Sequence, residues 1–290
     1  MDNPVLTRLL LGYIESHVFT PRYHTVVGNH SEFLRFMQSD ADPAESEAEW
    51  MEGVETLRSM TLIDSEYSVN EFLIKGKTVL AEGAQGALLD IDFGSYPFVT
   101  SSNTITAGTC SGLGVAPQRI GDVYGIFKAY CTRVGSGPFP TELHDETGDA
   151  LRKAGNEFGS TTGRPRRCGW LDIPALRYAV MLNGVTKLIM TKPDVLSGFD
   201  FIQVCTGYEY KGKVINYVPF DAQDGDLEPL YEELHGWSEP LRGIQSADDL
   251  PFELKNYVRF IERELQIPIV IVSVGPDRSE TLPCTEEFAL

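Results

Sequence analysis

Three arginines and two threonines lie within residues 159–167, which read G-S-T-T-G-R-P-R-R. Guanidinium groups bind carboxylates and phosphates through paired hydrogen bonds, and threonine hydroxyls and exposed amides add further donors. This composition predicts a receptor for a carboxylate or a phosphate. The alternative is a solvated basic turn facing acidic surface. Because the chain carries a net charge of −18, a local gathering of arginines favours the receptor.

A second candidate is the sequence T-K-P-D at residues 191–194, which follows an apolar run. A carboxylate there can accept hydrogen bonds from both the N1–H and the exocyclic amine of guanine, whereas N1 of adenine carries no hydrogen. The stem of Lys192 can lie over the plane of the base. The pattern predicts guanine recognition, and the alternative is an ordinary loop in which Asp194 caps the backbone.

Two further polar segments lie between residues 82 and 104. In E-G-A-Q-G at residues 82–86, glycines flank Gln85, whose amide can offer a donor and an acceptor to a ligand; the alternative is a tight turn. Asp90 and Asp92 follow, and we expect them to cap backbone groups rather than bind a metal, because no third ligand is in view.

The composition argues against several classes of partner. Lysine and arginine number 24 against 42 aspartates and glutamates, and such a surface repels nucleic-acid phosphates and anionic lipid. The five cysteines are scattered without metal-binding spacing, which is typical of reduced thiols in a cytosol. The N-terminal residues show no signal-peptide pattern and no membrane-length apolar run. The sequence therefore predicts a cytoplasmic protein that acts on small molecules.

These candidates need a framework that brings loops together. Four short apolar runs each end in a polar or glycine-containing loop and alternate with amphipathic segments. This alternation predicts an α/β fold with a mostly parallel central sheet covered by helices. Ligands bind beyond the carboxyl ends of strands in such sheets, so the four loops should line one cleft. The predicted strands are residues 78–81, 129–134, 187–190 and 267–274.

The remaining elements follow from periodicity and turn residues. Residues 202–210 and 213–218 flank Lys211-Gly212, which indicates a peripheral antiparallel hairpin. We divide the chain into a mainly helical segment, residues 1–76, and an α/β substrate- and nucleotide-binding region, residues 77–290. The predicted helices are residues 64–73, 119–127, 173–183 and 253–265.

Six motifs, in order between about residues 78 and 282, resemble those of the adenylosuccinate synthetase family. Besides E-G-A-Q-G and T-K-P-D, they are V-T-S-S-N-T at 99–104, G-P-F-P-T-E at 137–142, the arginine-rich segment followed by G-W-L-D at 169–172, and S-V-G-P-D-R at 273–278. An ordered set of this length makes a chance match improbable. The first seventy or so residues resemble the family only loosely.

The resemblance implies a ligase that uses GTP and Mg²⁺ to join IMP and L-aspartate. The IMP 6-oxygen is phosphorylated, and the aspartate amine then displaces phosphate to give adenylosuccinate. Gln85 would be the catalytic residue that holds the IMP base, and the rest of the IMP site would be Thr100, Val134 and Arg164. The implied aspartate-binding residues are Ser160, Thr161, Thr162, Gly163, Arg164 and Arg166. The implied GTP-binding residues are Arg166, Lys192, Pro193, Asp194, Ser273, Val274 and Gly275.

The sequence departs from the family pattern in one respect. The family's glycine-rich loop, of the form G-D-E-G-K-G-K, supplies the general base and helps to hold Mg²⁺, and a catalytic histidine follows in a G-H motif; neither has a convincing match here. We therefore expect the chain to correspond to the C-terminal two-thirds of the enzyme, to contain no metal ligand and to be inactive alone. The complete enzyme is expected to be a homodimer. The alternative function is a non-catalytic module that binds guanine nucleotide and IMP.

Overall fold

The computed structural model describes residues 19–61, 63–159, 163–219, 222 and 225–285. Spatial contacts divide the chain into two compact units, residues 1–82 with 108–119, and residues 83–107 with 120–290. None of the described helices combines the length and apolarity needed to cross a membrane.

The helices are α1 (Phe19–Phe36), α2 (Glu47–Arg58), α3 (Ser65–Ile74), α4 (Ala107–Leu113), α5 (Glu146–Ala154), α6 (Ile173–Asn183) and α7 (Phe252–Leu265). The strands are β1 (Tyr124–Lys128), β2 (Cys131–Arg133), β3 (Arg167–Gly169), β4 (Leu171–Asp172), β5 (Lys187–Thr191), β6 (Phe201–Tyr210), β7 (Lys213–Ile215), β8 (Glu228–His235), β9 (Ile269–Ser273) and β10 (Thr281–Pro283).

Aromatic stacking joins the first two helices of the first unit. Trp50 on α2 stacks on Phe19 and Tyr23 of α1, with ring centroids 5.8 and 4.7 Å apart. Val54, one turn further along α2, is buried with Phe19 in a small apolar cluster. Aromatic pairs of this kind add to the free energy of burial. The core of this unit is therefore small and local.

The second unit is built on a four-stranded sheet in the order β1-β5-β9-β10. Strands β1, β5 and β9 are parallel, and β10 runs antiparallel to β9. Leu188, Met190 and Val272 of these strands are buried in one core with Leu254 and Ile261 of α7. The predicted α/β fold, with a mostly parallel sheet covered by helices, is confirmed.

Local sequence explains where α6 begins and ends. The Oδ1 atom of Asp172 accepts a hydrogen bond of 3.0 Å from the backbone N–H of Ala175, which caps the helix. Gly184 has a φ of 58° and ends it, in the left-handed region that glycine adopts without strain. The predicted helix over residues 173–183 is therefore confirmed at both ends.

The predicted antiparallel hairpin is also confirmed. Strands β6 and β7 pair across Lys211 and Gly212, which have φ values of 50° and 73°, as a two-residue turn between twisted strands requires. Strand β8 pairs along the other edge of β6 and was not predicted. Its acidic sequence has low intrinsic preference for strands, and the long ladder with β6 outweighs that preference.

The prediction of a helix over residues 119–127 is wrong. A single short 3-10 turn, Pro117–Arg119, is followed by an irregular stretch and then by β1. Gly125 lowers helix propensity and lets β1 approach its neighbour closely, because a Cβ there would lie 3.0 Å from side-chain atoms of Val185 and Leu188. Pairing with β5 therefore decides the structure of this segment.

Two predicted strands of the main sheet are also wrong. Within residues 129–134, only β2 is a strand, and it pairs antiparallel with β3 outside the main sheet. Residues 78–81 form no strand, and the side chain of Leu80 is exposed. An apolar run becomes a strand only where another strand pairs with its backbone, and no described strand pairs with residues 78–81.

Candidate functional site

The carboxyl ends of β1, β5 and β9 lie side by side. Lys128 in β1 pairs with Thr191 in β5, and Thr191 pairs with Ser273 in β9. Hydrogen bonds continue past the strands, since the Ala129 N–H donates to the Thr191 carbonyl at 2.8 Å and the Lys192 N–H donates to the Ser273 carbonyl at 3.2 Å. The loops after β5 and β9 therefore share one edge of the sheet, as predicted.

The segment after β5 turns sharply and buries one oxygen of a half-buried carboxylate. Lys192 has a left-handed backbone with φ of 61°, and Pro193–Leu196 then form a 3-10 turn. The Oδ1 atom of Asp194 is buried, and no described residue donates a hydrogen bond to it. Burial raises the pKa of Asp194, although a hydrogen bond from its own backbone N–H and the charges of the nearby Lys192 and Arg242 oppose the shift. Since a buried acceptor without a donor costs free energy, this oxygen is the natural place for the N–H groups of a ligand.

The turn after β9 forms a neighbouring wall. The Ser273 hydroxyl donates to the Gly275 carbonyl at 3.1 Å, and the Val274 N–H donates to the Glu280 carbonyl at 2.8 Å. The Glu280 carboxylate packs so closely on Gly275 that a Cβ there would collide with it. A larger residue at this position would have to displace the Glu280 side chain.

Glu157 is a buried carboxylate that gathers cations at the same strand ends. Its Oε1 atom accepts hydrogen bonds from Lys128 Nζ at 2.9 Å, Tyr130 Oη at 2.6 Å and Lys192 Nζ at 2.8 Å, and its Oε2 atom accepts one from Arg166 Nη1 at 2.6 Å. Burial alone would raise the pKa of Glu157, but the hydrogen bonds from Lys192, Tyr130, Lys128 and Arg166 lower it to about 2. One negative and three positive side chains leave this cluster with a net positive charge.

The backbone around Glu157 brings Arg166 into this cluster. The Glu157 N–H donates to the Arg152 carbonyl near the end of α5, and the Arg166 N–H donates to the Glu157 carbonyl, both at 2.9 Å. The Arg152 guanidinium in turn donates to the Arg166 carbonyl at 2.8 Å. An antiparallel bridge between Phe158 and Pro165 continues the pairing. The arginine-rich loop therefore leaves and returns at Glu157.

Two further backbone hydrogen bonds join the described residues on either side of residues 160–162. The Gly159 N–H donates to the Arg164 carbonyl and the Gly163 N–H donates to the Gly159 carbonyl, both at 2.8 Å. Arg164 is exposed, whereas Arg166 reaches the strand ends. Three of the predicted aspartate-binding residues lie outside the described residues, namely Ser160, Thr161 and Thr162.

Gln85 has an unusual backbone conformation. Its φ of 66° lies in the left-handed region, which a non-glycine residue rarely adopts, and its side chain is exposed. The Thr104 hydroxyl donates to the Gly86 carbonyl at 2.7 Å and holds this turn. Strained positions of this kind concentrate at functional sites, so the conformation fits a side chain presented to a ligand.

A buried carboxylate organises the segment that follows Gln85. Asp90 accepts backbone hydrogen bonds from residues 92, 93, 104 and 105, which confirms the capping interpretation for this residue. These hydrogen bonds lower the pKa of Asp90 against the opposing effect of its burial. The Thr100 N–H donates to the Leu89 carbonyl at 2.8 Å. Asp90 therefore fixes the two ends of the loop that carries Thr100.

Val134 is exposed at the turn after β2, and its neighbours connect the two groups of candidates. The β2–β3 ladder pairs Arg133 with Arg167. Arg133 Nη2 donates to Ser95 Oγ at 3.0 Å, and Arg167 Nη1 donates to the Gly137 carbonyl at 2.7 Å. The loop that carries Thr100, the turn at Val134 and the arginine-rich segment are thereby joined by direct contacts.

Sequence reasoning missed Glu157, Lys128 and Tyr130. The signal for Glu157 was present, since the acid immediately precedes an arginine-rich segment in a chain where local charge is informative. Lys128 and Tyr130 were missed because residues 119–127 were predicted as a helix, so that no strand was expected to end at Lys128. A correct strand over residues 124–128 would have placed both at a strand end, where ligand-binding residues are expected.

The family resemblance implies a Mg²⁺ ion, which proteins often hold through one or two carboxylates together with substrate phosphates. Magnesium is held by carboxylate and other oxygen ligands in near-octahedral geometry. Within the described ranges, no three His, Cys, Asp or Glu side chains converge on one point.

We expect the stability contribution of Glu157 to depend on pH. Its pKa is about 2 in the folded chain against a usual 4.5, so the ionised form favours folding above about pH 4.5, and this contribution is lost as the pH falls towards 2. The contribution is on the order of 2 to 3 kcal/mol. In urea titrations, the difference in unfolding free energy between wild type and Glu157→Gln should be constant from pH 7 to 5.

The same difference should then narrow as the pH is lowered from 5 to 3. The glutamine variant is the reference because every other carboxyl group titrates in both proteins. A difference that stays the same across this range would show that the Glu157 carboxylate is not held ionised by its cationic neighbours.

Comparison with known proteins places this geometry in a family. The family model for adenylosuccinate synthetase matches residues 10–282. The chain is 55% identical to the adenylosuccinate synthetase of Christiangramia forsetii over 284 residues, which cover 97% of this chain and 67% of that protein. It is 56% identical to the adenylosuccinate synthetase of Bacteroides thetaiotaomicron over 266 residues, which cover 92% and 63% of the two chains.

A solved structure shows the same relation. The fully ligated adenylosuccinate synthetase of Plasmodium falciparum matches with a TM-score of 0.85 and 36% identity, over 94% of this chain and 65% of that one. The chain thus spans about two-thirds of the length of the relatives it matches. With a family model over nearly all of its length and relatives at more than half identity, the chain belongs to the adenylosuccinate synthetase family.

Proposed function

We propose that this chain binds guanine nucleotide and IMP for the GTP-dependent joining of IMP and L-aspartate to adenylosuccinate. The observation that supports the proposal most is the buried Oδ1 atom of Asp194, which no described residue satisfies. Guanine offers two adjacent donors, N1–H and the exocyclic amine, to one carboxylate, and adenine does not. A buried acceptor beside a lysine at a strand end is therefore matched to guanine.

The surrounding residues complete the nucleotide site. The aliphatic stem of Lys192 covers one face of the base, and the turn of Ser273, Val274 and Gly275 forms the neighbouring wall. Pro193 fixes the turn that presents Asp194. Arg166 and the positive cluster around Glu157 attract the phosphates, because three cations share one carboxylate there.

IMP and aspartate occupy the second group of residues. The amide of Gln85 accepts a hydrogen bond from the N1–H of the IMP base and donates another to an acceptor on it. Thr100 binds the IMP phosphate, and Val134 lies against the ribose. Residues 160–164 and Arg166 bind the carboxylates of aspartate, and the exposed Arg164 also contacts IMP.

The 290 residues carry no G-D-E-G-K-G-K loop. We propose that the chain by itself binds these substrates without phosphorylating IMP. This sequence observation favours the second candidate function, a non-catalytic guanine nucleotide and IMP module, for the chain when it acts alone.

Calorimetric titration of the purified chain with GDP, ADP and IMP tests the binding function. We expect heat of binding from GDP and IMP and an affinity for ADP at least about tenfold weaker than that for GDP, since adenine loses a charge-assisted hydrogen bond worth about 1.5 to 3 kcal/mol. Equal affinities for GDP and ADP would contradict the assignment of the guanine site.

A further inference from the structure

Glu157 touches groups from three separate parts of the chain. Lys128 is the last residue of β1, and Tyr130 lies just beyond it. Lys192 directly follows β5, and Arg166 belongs to the arginine-rich segment. All four side chains donate to the same carboxylate. The carboxylate is fully buried, whereas the side chains of Arg166 and Lys192 keep 30% and 35% of their surface exposed. The acid is therefore hidden behind two cations that still reach the surface.

The charges in this cluster do not balance. An ion pair that served only the fold would match one cation to one carboxylate, whereas three cations converge here on Glu157. Like charges brought this close repel each other, and Glu157 is the one carboxylate that all three contact, although Lys192 also donates to the Gly155 carbonyl at 2.7 Å and Lys128 to the Thr132 hydroxyl at 2.8 Å. Removing that partner frees Lys128, Lys192 and Arg166 to move apart.

We propose that Glu157 is a positioning residue for guanine nucleotide binding, which holds the Lys192 ammonium and the Arg166 guanidinium at a fixed separation across two loops. The inference rests on the proposed function, in which Lys192 covers the base and Arg166 meets the phosphates. Glu157 does not contact the nucleotide in this arrangement. It acts through the two cations.

The binding geometry explains why a carboxylate is needed. Each of its two oxygens binds a different cation, since Oε1 accepts a hydrogen bond from Lys192 and Oε2 accepts one from Arg166. Glutamine has the same shape but only one acceptor oxygen, and its amide would turn N–H donors towards a cation. In Glu157→Gln, one of the two cations must therefore leave its position.

The test is a double-mutant cycle on GDP affinity, with wild type, Glu157→Gln, Lys192→Met and the double variant. We expect Glu157→Gln to raise the Kd for GDP about tenfold or more, as expected for losing a hydrogen bond between charged groups. In the Lys192→Met background the same change should have an effect at least about threefold smaller, because the two residues act as a unit.

Glu142→Gln is the matched control. Glu142 is also a largely buried acid that pairs with an arginine, Arg167, the residue directly after Arg166. We expect this variant to bind GDP within about twofold of wild type. Equal losses for Glu142→Gln and Glu157→Gln, or an effect of Glu157→Gln that is the same with and without Lys192, would overturn the positioning role in favour of general destabilisation.

A second readout does not depend on nucleotide. Acetylation of lysines followed by mass spectrometry should show Lys128 and Lys192 reacting faster in Glu157→Gln than in wild type, with Lys187 at the opposite end of β5 as the internal reference. If Glu157→Gln does not fold, Glu157→Asp retains the charge and loses reach, and it should also weaken GDP binding. In that case, the GDP affinity of Glu157→Asp is compared with that of the wild type.

The outcomes separate the two proposals. A wild-type chain that does not prefer GDP over ADP would overturn the proposed function and, with it, this inference. A wild-type chain that prefers GDP, together with a folded Glu157→Gln variant of equal GDP affinity and unchanged lysine reactivity, would overturn the inference alone.

Discussion

Replacing Asp194 with asparagine is expected to weaken GDP binding by 2 to 4 kcal/mol, about 30- to 1,000-fold, while ADP affinity stays within about twofold. The Asp194 carboxylate can accept from two guanine donors at once. Asparagine turns one acceptor into a donor that faces a donor of the base, and it removes the charge that strengthens the remaining hydrogen bond. Adenine gains nothing from the carboxylate and so loses little.

Titration calorimetry with both nucleotides measures this prediction. Asp200→Asn is the matched control, since Asp200 is an exposed carboxylate six residues further along the same segment. It should leave both affinities unchanged. Equal losses of GDP and ADP affinity in Asp194→Asn would indicate damage to the turn rather than loss of base selection. That result would contradict the assignment of Asp194 to guanine recognition.

The elements that carry the guanine site were predictable because their signals are local. Strands β5 and β9 are short apolar runs that end in turn residues, and both were predicted within a few residues. Two parallel neighbours in one sheet must have adjacent carboxyl ends, so the T-K-P-D and S-V-G segments were expected to meet. The backbone hydrogen bond from Lys192 to Ser273 shows that they do.

Strand β1 was missed because its identity depends on a partner. Residues 124–128 read Y-G-I-F-K, and this short stretch with one glycine shows neither a clear helical nor a clear strand periodicity by itself. The pairing with β5, residues distant in sequence, supplies the backbone hydrogen bonds that decide it. Residues 78–81 show the opposite case: their apolar sequence predicted a strand, but no described strand pairs with them, and they form none.

The role of Glu157 shows a second limit. Its four partners lie 9 to 35 residues away along the chain, and although Arg166 and Lys192 stand in predicted motifs, nothing in either motif indicates that they share a carboxylate. What makes the carboxylate important is that the fold buries it where three cations meet. Spacing patterns detect residues that share a helix face or a loop, whereas this cluster exists only after β1 and β5 have paired.

The 290-residue chain alone is expected to form no adenylosuccinate. Phosphoryl transfer to the IMP 6-oxygen needs a base for the N1 proton, a cradle for the β- and γ-phosphates and a held metal ion, because this class of reaction depends on positioning and charge stabilisation. The sequence has no G-D-E-G-K-G-K loop. Loss of a general base alone typically costs about 10²- to 10⁴-fold, and loss of the phosphate cradle adds to it.

The measurement follows adenylosuccinate absorbance with saturating IMP, GTP, aspartate and Mg²⁺, beside a full-length family member under the same conditions. The rate for the chain should fall more than about 10⁴-fold below that of the control. GDP and IMP binding, measured on the same preparation, shows whether a lack of turnover is due to missing catalytic groups or to a missing substrate site. Turnover above that level by the chain alone would mean that a base and a phosphate cradle lie within these 290 residues, and Glu157, Lys128 and the residues around Gln85 would then be the first to test for those roles.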